Sequence, residues 1–327
     1  MTELLQPSWL EVDHLTHYRY GARVDIAYHL AHLCPRDEPT QVLEAFQLDI
    51  DPPAAHLREE RDRLGNMRTC FDVHVPHREL RVRSRSRVRV VDAPALRPDA
   101  TLAWEKVRER LRFAAGVPWE AASEFVFESP CVQSLAVVRE FALPSFMPQR
   151  PIALAAIDLM QRIHEGFEYC PESTDVDTPL SQVLETREGV CQDFAHLMIG
   201  ALRSMGLAAR YVSGYLVTTP AEGAAPPRGA CDAPEAGASA ASSAPLLGAD
   251  ASHAWVSVWC PASDSSPARW LKLDPTNNLL PGRSHVRLAI GRDYSDVAPL
   301  RGVIRGGGTH RLEVQVRTRR VRTPQVP

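Results

Sequence analysis

The sequence predicts an α+β fold: an N-terminal β-domain of sandwich type, a helical connector, and a core in which one apolar helix packs on an antiparallel sheet. Three observations predict it. Apolar residues alternate with polar ones at period two through residues 1–92. From Pro151 the apolar spacing becomes helical, and the helix opening at Cys191 is apolar almost all round. Two short apolar strands, 253–260 and 270–274, are joined by a polar connection. At 327 residues the chain accommodates two domains of about 150 residues each. A composition of 44 % hydrophobic and 24 % charged residues is that of an ordinary globular protein.

The β-domain, 1–92, is read strand by strand. Leu10, Val12, His14, Thr16, Tyr18 and Tyr20 share one face, and Val24, Ile26, Tyr28 and Leu30 repeat the pattern. Phe46, Leu48 and Ile50 follow, stopped by Pro52 and Pro53. Gly65-Asn66 is a turn ahead of Phe71, Val73 and Val75, and LRVRSRSRVRVVD alternates arginine with apolar or small residues. Short strands at this spacing suggest a sandwich or barrel. Residues 93–150 are proline-punctuated, with Trp104, Trp119, Phe125 and Phe127, and read as a helical connector without chemistry of its own.

The core is assigned to 151–327. Pro151 starts a helix whose apolar stripe is Ile152, Ala155, Ala156, Leu159, Met160 and Ile163. CQDFAHLMIGALRSMG is a central, buried helix with Gly206 as its stop. RYVSGYLV is a strand. Residues 219–249 are dominated by Ala, Gly, Pro and Ser and read as a disordered loop. HAWVSVWC, WLKLDP and the alternating RLEVQVRT complete the core as strands.

Composition also excludes function classes. The formal net charge is -3, and the one basic run, from Arg317 to Arg322, reads as a solvated tail, so no nucleic-acid partner is expected. The N-terminus shows no basic segment followed by an apolar one, and no apolar run approaches the ~20 residues of a membrane span; a cytoplasmic protein without membrane contact is expected. The seven cysteines are odd in number and scattered, with no CxxC, so neither a disulfide framework nor a zinc site is expected, and no metal or cofactor is assigned.

One cysteine differs from the rest. Cys191 follows Gly189-Val190 and opens the buried helix, where the positive end of the dipole favours a thiolate. His253 heads one strand of the 253–274 hairpin and Asp274 ends the other. In an antiparallel hairpin those positions lie side by side, so the carboxylate can fix the imidazole tautomer and turn its other nitrogen toward Cys191. His196 lies five residues after Cys191, about 140° around the helix at ~100° per residue, and cannot pair with that thiol. Asp193, in the first turn, complements the dipole but opposes a thiolate; Gln192 has no assigned role. Tyr211 and Arg210 hold the following strand, and Arg210 is a candidate partner for a carboxylate.

GVCQDFAHLMIGALRSMGLAARYVSGYL, DASHAW and LDPTN together resemble the bacterial transglutaminase-like family, which includes many proposed cysteine proteases. HLTHYRY, LGN and VPHREL resemble its N-terminal domain, and GRDYSDVAPLRGVIRGGG its C-terminal segment. The resemblance implies a papain-like core with Cys191, His253 and Asp274 as a catalytic triad. It also implies an aromatic oxyanion donor upstream of the cysteine, for which Tyr169 is the candidate beside the backbone N–H of Cys191. The implied reaction is acyl transfer on an amide through a thioester. Hydrolysis of a peptide or isopeptide is the expected outcome, without a cofactor and with an association with ATP-grasp-type peptide ligases. Protein-glutamine transglutamination and a non-catalytic peptide-binding module are the alternatives.

Overall fold

The computed structural model describes residues 7–94, 96–171, 173–174, 178–217, 246–248, 252–263 and 268–321. Five strands come first: β1 (Ser8–Ala31), β2 (Gln41–Asp51), β3 (His56–Arg61), β4 (Met67–Val73) and β5 (His77–Val90). Helices α1 (Trp104–Leu111), α2 (Ala136–Ala142) and α3 (Ile152–Gly166) follow. Then come β6 (Glu168–Tyr169), α4 (Leu180–Thr186), β7 (Glu188–Gly189) and α5 (Cys191–Ser204). The chain continues through β8 (Ala209–Leu216), β9 (His253–Cys260), β10 (Arg269–Leu273) and β11 (His285–Gly291). It ends with α6 (Tyr294–Val297), β12 (Leu300–Gly306) and β13 (His310–Val321).

The N-terminal domain is a seven-stranded sheet folded around β1. The first half of β1 pairs with β5 and β13; the second half pairs with β4 and β12. Val24 and Ala27 from β1, Phe71 and Val73 from β4, and Leu80 and Val82 from β5 meet in one apolar cluster, which gives the sandwich-like form. The β1–β12 register shifts between Val24 and Ile26. A bulge there exchanges the two faces of the strand. The buried residues beyond it are Ala27, His29 and Ala31, whereas Tyr28, expected on the face of Val24, is 55 % exposed.

Two expectations change at the C-terminus. Residues 300–321 hydrogen-bond to β1 and so belong to the N-terminal sheet, not to the core. An alternating strand fits any half-exposed sheet edge, so its pattern does not choose the sheet. Within the run 317–322, Arg319 on β13 pairs with Glu11 and Arg320 reaches the Ser8 and Ser284 hydroxyls; this part is strand, not tail. The arginines of β5 are likewise answered, Arg83 by Asp13, Arg85 by Asp49 and Arg87 by Glu11. Exposed pairs of this kind contribute about 0–1 kcal/mol each.

The connector helices α1 and α2 share a continuous apolar cluster with α3 and α5. At its centre is α5, in which Leu197, Met198, Ile199 and Leu202 are fully buried. Each such side chain contributes about 1.5–3 kcal/mol of transfer free energy. The helix lies on an antiparallel sheet of order β10-β9-β8-β11. Side-chain amides seal the β11 edge: Gln41 bonds both ways with the Arg287 backbone and Asn66 both ways with the Ile290 backbone, each bond 2.8 Å long. Those four bonds, and one of 2.7 Å between His14 and the Tyr215 hydroxyl, are among those that join the N-terminal domain to the core. None of the described helices is long and apolar enough to cross a membrane.

Candidate active site

The start of α5 is built by its neighbours. Val190 is extended, and its N–H donates to Oδ2 of Asp193 at 2.8 Å, so the helix begins at Cys191. A Cβ at Gly189 would lie 3.0 Å from Asp193 Cβ and Oδ2, tighter than ordinary contact, so glycine suits this closure. Thr174 donates a second bond to the same carboxylate at 2.7 Å. Burial pushes the Asp193 carboxyl up, against the pull of the Val190 N–H and Thr174. Asp193 therefore serves as a helix cap.

Cys191 is buried, with Sγ 4.0 Å from the Ser252 carbonyl oxygen. The following residue, His253, opens β9, a strand buried throughout. Leu273 of β10 pairs with Val256 of β9, so Asp274, one step on, arrives within two residues of His253. Their side chains are both fully buried, and Nε2 of His253 lies 2.9 Å from Oδ2 of Asp274. A carboxylate only accepts, so Nε2 carries the proton and Nδ1 faces away. Nδ1 has no partner within hydrogen-bonding geometry, yet Cys191 is close enough to act on the ring. Burial disfavours the imidazolium, but Asp274 and Cys191 outweigh it and lift the His253 pKa to about 10. Burial likewise disfavours the Asp274 carboxylate, but His253 and His285 hold it well below the usual range.

Asp274 is held from every side. Its Oδ1 accepts the N–H groups of Thr276 at 3.0 Å and Asn277 at 3.2 Å, and its Oδ2 accepts the Asn277 side-chain amide at 3.0 Å. Nε2 of His285, buried at the start of β11, is 3.4 Å from the same Oδ2. Trp255 lies over the His253 ring with centroids 6.1 Å apart. Asn277 and His285 were not anticipated. Asn277 is within the LDPTN motif and had a local signal, since an Asp followed by a tight turn caps its own backbone. His285 had none, because it reaches Asp274 only through sheet order.

The remaining candidates separate clearly. His196 accepts the Tyr294 N–H at 3.1 Å and rests against Tyr211, burial pulls its pKa down to about 4, and it makes no pair with Cys191. Arg210 stacks over Trp270 at 3.9 Å and forms no ion pair among the described residues, which corrects the expected carboxylate partner. Tyr169 sits on β6 beside Gly189 of β7. The point that a Cβ at Gly248 would occupy is 2.9 Å from His253 Nδ1 and 3.5 Å from the Tyr169 hydroxyl, so both face one small space.

Gly248 belongs to the stretch expected to be disordered. Residues 219–245 and 249 of that stretch lie outside the described residues, as does Cys231. Residues 246–248 are held: the Leu247 N–H donates to Asn277 Oδ1 at 2.8 Å, and Asn277 Nδ2 donates to the Leu247 carbonyl at 3.3 Å. This short piece covers His253.

Residues 10–89 match the bacterial transglutaminase-like N-terminal region, and residues 146–275 match the transglutaminase-like superfamily. The chain belongs to the bacterial transglutaminase-like family. An uncharacterised Mycobacterium tuberculosis protein, Rv2569c, is 41 % identical over 303 residues, covering 90 % of this chain and 86 % of the relative. An uncharacterised Mycobacterium leprae protein is 29 % identical over 316 residues, covering 95 % and 99 %. A Pseudomonas aeruginosa protein-glutamine gamma-glutamyltransferase is 32 % identical over 136 residues, covering 41 % of this chain but only 17 % of the relative. The crystal structure of a proposed cysteine protease from Cytophaga hutchinsonii superposes with a TM-score of 0.69 at 18 % identity, over 98 % of this chain and 93 % of that one. The transglutaminase-like chain therefore has the mixed α/β core of this superfamily, and its membership supports cysteine-based enzyme activity.

Proposed function

We propose that the protein is a cysteine peptidase or amidase in which Cys191, His253 and Asp274 act as a triad. One observation carries the reading: a buried imidazole bonded at 2.9 Å to a fixed carboxylate and adjoining a thiol at a helix N-terminus. Cys191 Sγ attacks the amide carbonyl while its proton is held by His253 Nδ1. Asp274 keeps Nε2 protonated and stabilises the imidazolium. The Cys191 N–H and the Tyr169 hydroxyl are the donors assigned to the oxyanion. His253 then returns the proton to the departing amine, leaving a thioester on Cys191. Water, deprotonated by His253, releases the acid.

Hydrolysis is preferred because the sequence resembles a family that includes many proposed cysteine proteases. A second reading, release by a primary amine, is favoured by the partial similarity to the Pseudomonas aeruginosa gamma-glutamyltransferase. Incubation with a peptide library, with and without a primary amine, separates them by mass spectrometry. Cleaved peptides in both conditions are expected; amine-bearing products without cleavage would reverse the preference. A peptide-binding module would give neither product, nor selective alkylation at Cys191.

A further inference from the structure

We propose that His56, Asp72 and His74, on the N-terminal domain, form a binding site for one divalent ion of the borderline transition-metal class represented by Zn2+. The three side chains are brought together by cross-strand register. His56, the first residue of β3, pairs directly with Asp72 of β4. His74 follows Asp72 by two positions, which returns it to the same face of an extended chain. His56 Nδ1 is 3.1 Å from both Asp72 carboxylate oxygens, and His74 Nε2 is 3.0 Å from Oδ2. One donor atom from each residue lies within 4.8 Å of the other two.

These distances are close to those that an ion requires. With zinc bonds of about 2.0–2.2 Å to nitrogen and oxygen, tetrahedral neighbours stand roughly 3.3–3.5 Å apart. The two nitrogen–carboxylate separations need to open by only a few tenths of an ångström, and all three donor atoms already lie within 4.8 Å of one another. The two imidazole rings meet edge to face, at 71° with centroids 5.7 Å apart. Two imidazoles and one carboxylate suit Zn2+ and its neighbours, whereas Ca2+ would demand six or more oxygens. Support from outside the ligand set is present. The His56 N–H donates to Asp72 Oδ1 at 2.8 Å, which orients the carboxylate and leaves Oδ2 for the ion. The Tyr28 ring meets the His74 ring edge-on at 6.4 Å. Side-chain exposure of 79 % at His56 and 44 % at His74 gives an ion entry, while Asp72, at 14 %, is sheltered enough for its charge to act at short range. Water completes the coordination. The ion would tie β3, which among the described strands pairs with β4 alone, to the chain leaving β4.

The test uses the full chain, free of any affinity tag and stripped with a chelator, carrying Cys191→Ala so that the active-site thiol cannot bind the metal. Calorimetric titration with Zn2+ is expected to show one equivalent bound at micromolar or lower concentration. His74→Ala and, separately, Asp72→Asn should weaken that binding at least tenfold. His74 is exposed, so its replacement leaves the far-UV circular dichroism unchanged and decides the matter even if Asp72→Asn fails to fold. Absence of saturable binding below millimolar Zn2+, or unchanged affinity in His74→Ala, overturns the proposal.

Discussion

His253, Asp274 and His285 in the core, and His56, Asp72 and His74 on the N-terminal sheet, are each two imidazoles around one carboxylate. The first set is almost wholly buried, with side-chain exposures of 0 %, 0 % and 1 %. In the second, both histidines face solvent. Burial changes what the carboxylate does. In a low-dielectric interior the charge of Asp274 is felt strongly by His253, which rises to about 10, while three further donors from Thr276 and Asn277 prevent the carboxylate from turning. At the surface, both histidines are open to solvent, and water can leave or complete a coordination shell. The same three groups thus favour holding a proton in one place and holding an ion in the other.

The largest expected effect separates the two regions outright. Cys191→Ala should lower turnover by about 10^4-fold or more while leaving the fold and Zn2+ binding intact. Peptide cleavage near the wild-type rate would remove Cys191 from the proposed triad. Next comes Asp274. Asn should cost on the order of 10^2–10^4-fold and Ala more, because Asn still bonds the imidazole but carries no charge to stabilise its cation. In Asp274→Asn the acid limb of the pH–rate profile should also move upward. Wild-type activity in Asp274→Ala would reduce the residue to a strand terminator.

Stability should follow the same pair. The raised His253 pKa contributes stability that is fully present below its ordinary value of 6.5 and is lost as the pH climbs toward about 10. The depressed Asp274 pKa contributes stability present above 3.8 and lost as the pH falls below it. The melting-temperature gap between wild type and Asp274→Asn should therefore be widest from about pH 4 to 6.5 and narrow on either side. A gap independent of pH would contradict the electrostatic account of the buried cluster.

Thiol labelling probes a smaller difference. Burial pushes Cys34 and Cys260 up to about 12, and iodoacetamide at neutral pH should reach Cys191, beside His253 at the start of α5, before either of them. Peptide mapping that finds another cysteine ahead would weaken its assignment as nucleophile. The smallest effect is expected from deleting residues 220–245 while keeping 246–248, which Asn277 holds. Loop-closure entropy changes slowly with length, so the melting temperature should move by only a few degrees. A large drop would show that the removed stretch contributes to packing.

Much of this architecture was legible before any coordinates. Alternation revealed the β-domain, apolar periodicity revealed α3 and α5, and the spacing between β9 and β10 brought His253 beside Asp274 through simple hairpin geometry. These are local properties, written within one element or between two neighbours joined by a short turn. The sequence likewise placed Cys191 at a helix start and kept His196 away from it, since both follow from helical rotation alone.

Other features depend on which distant strands become neighbours. That β13 pairs with β1, that His285 reaches Asp274 from β11, and that Gly248 lies over His253 are long-range outcomes. The bulge at Val24–Ile26 exchanges two faces of β1 without a residue that announces it. The surface cluster has no cysteine, and its His56 meets Asp72 and His74 only through the β3–β4 register. Periodicity along a chain specifies which side of an element is buried; it carries no information about the partner across the gap. That choice is made when whole surfaces pack together.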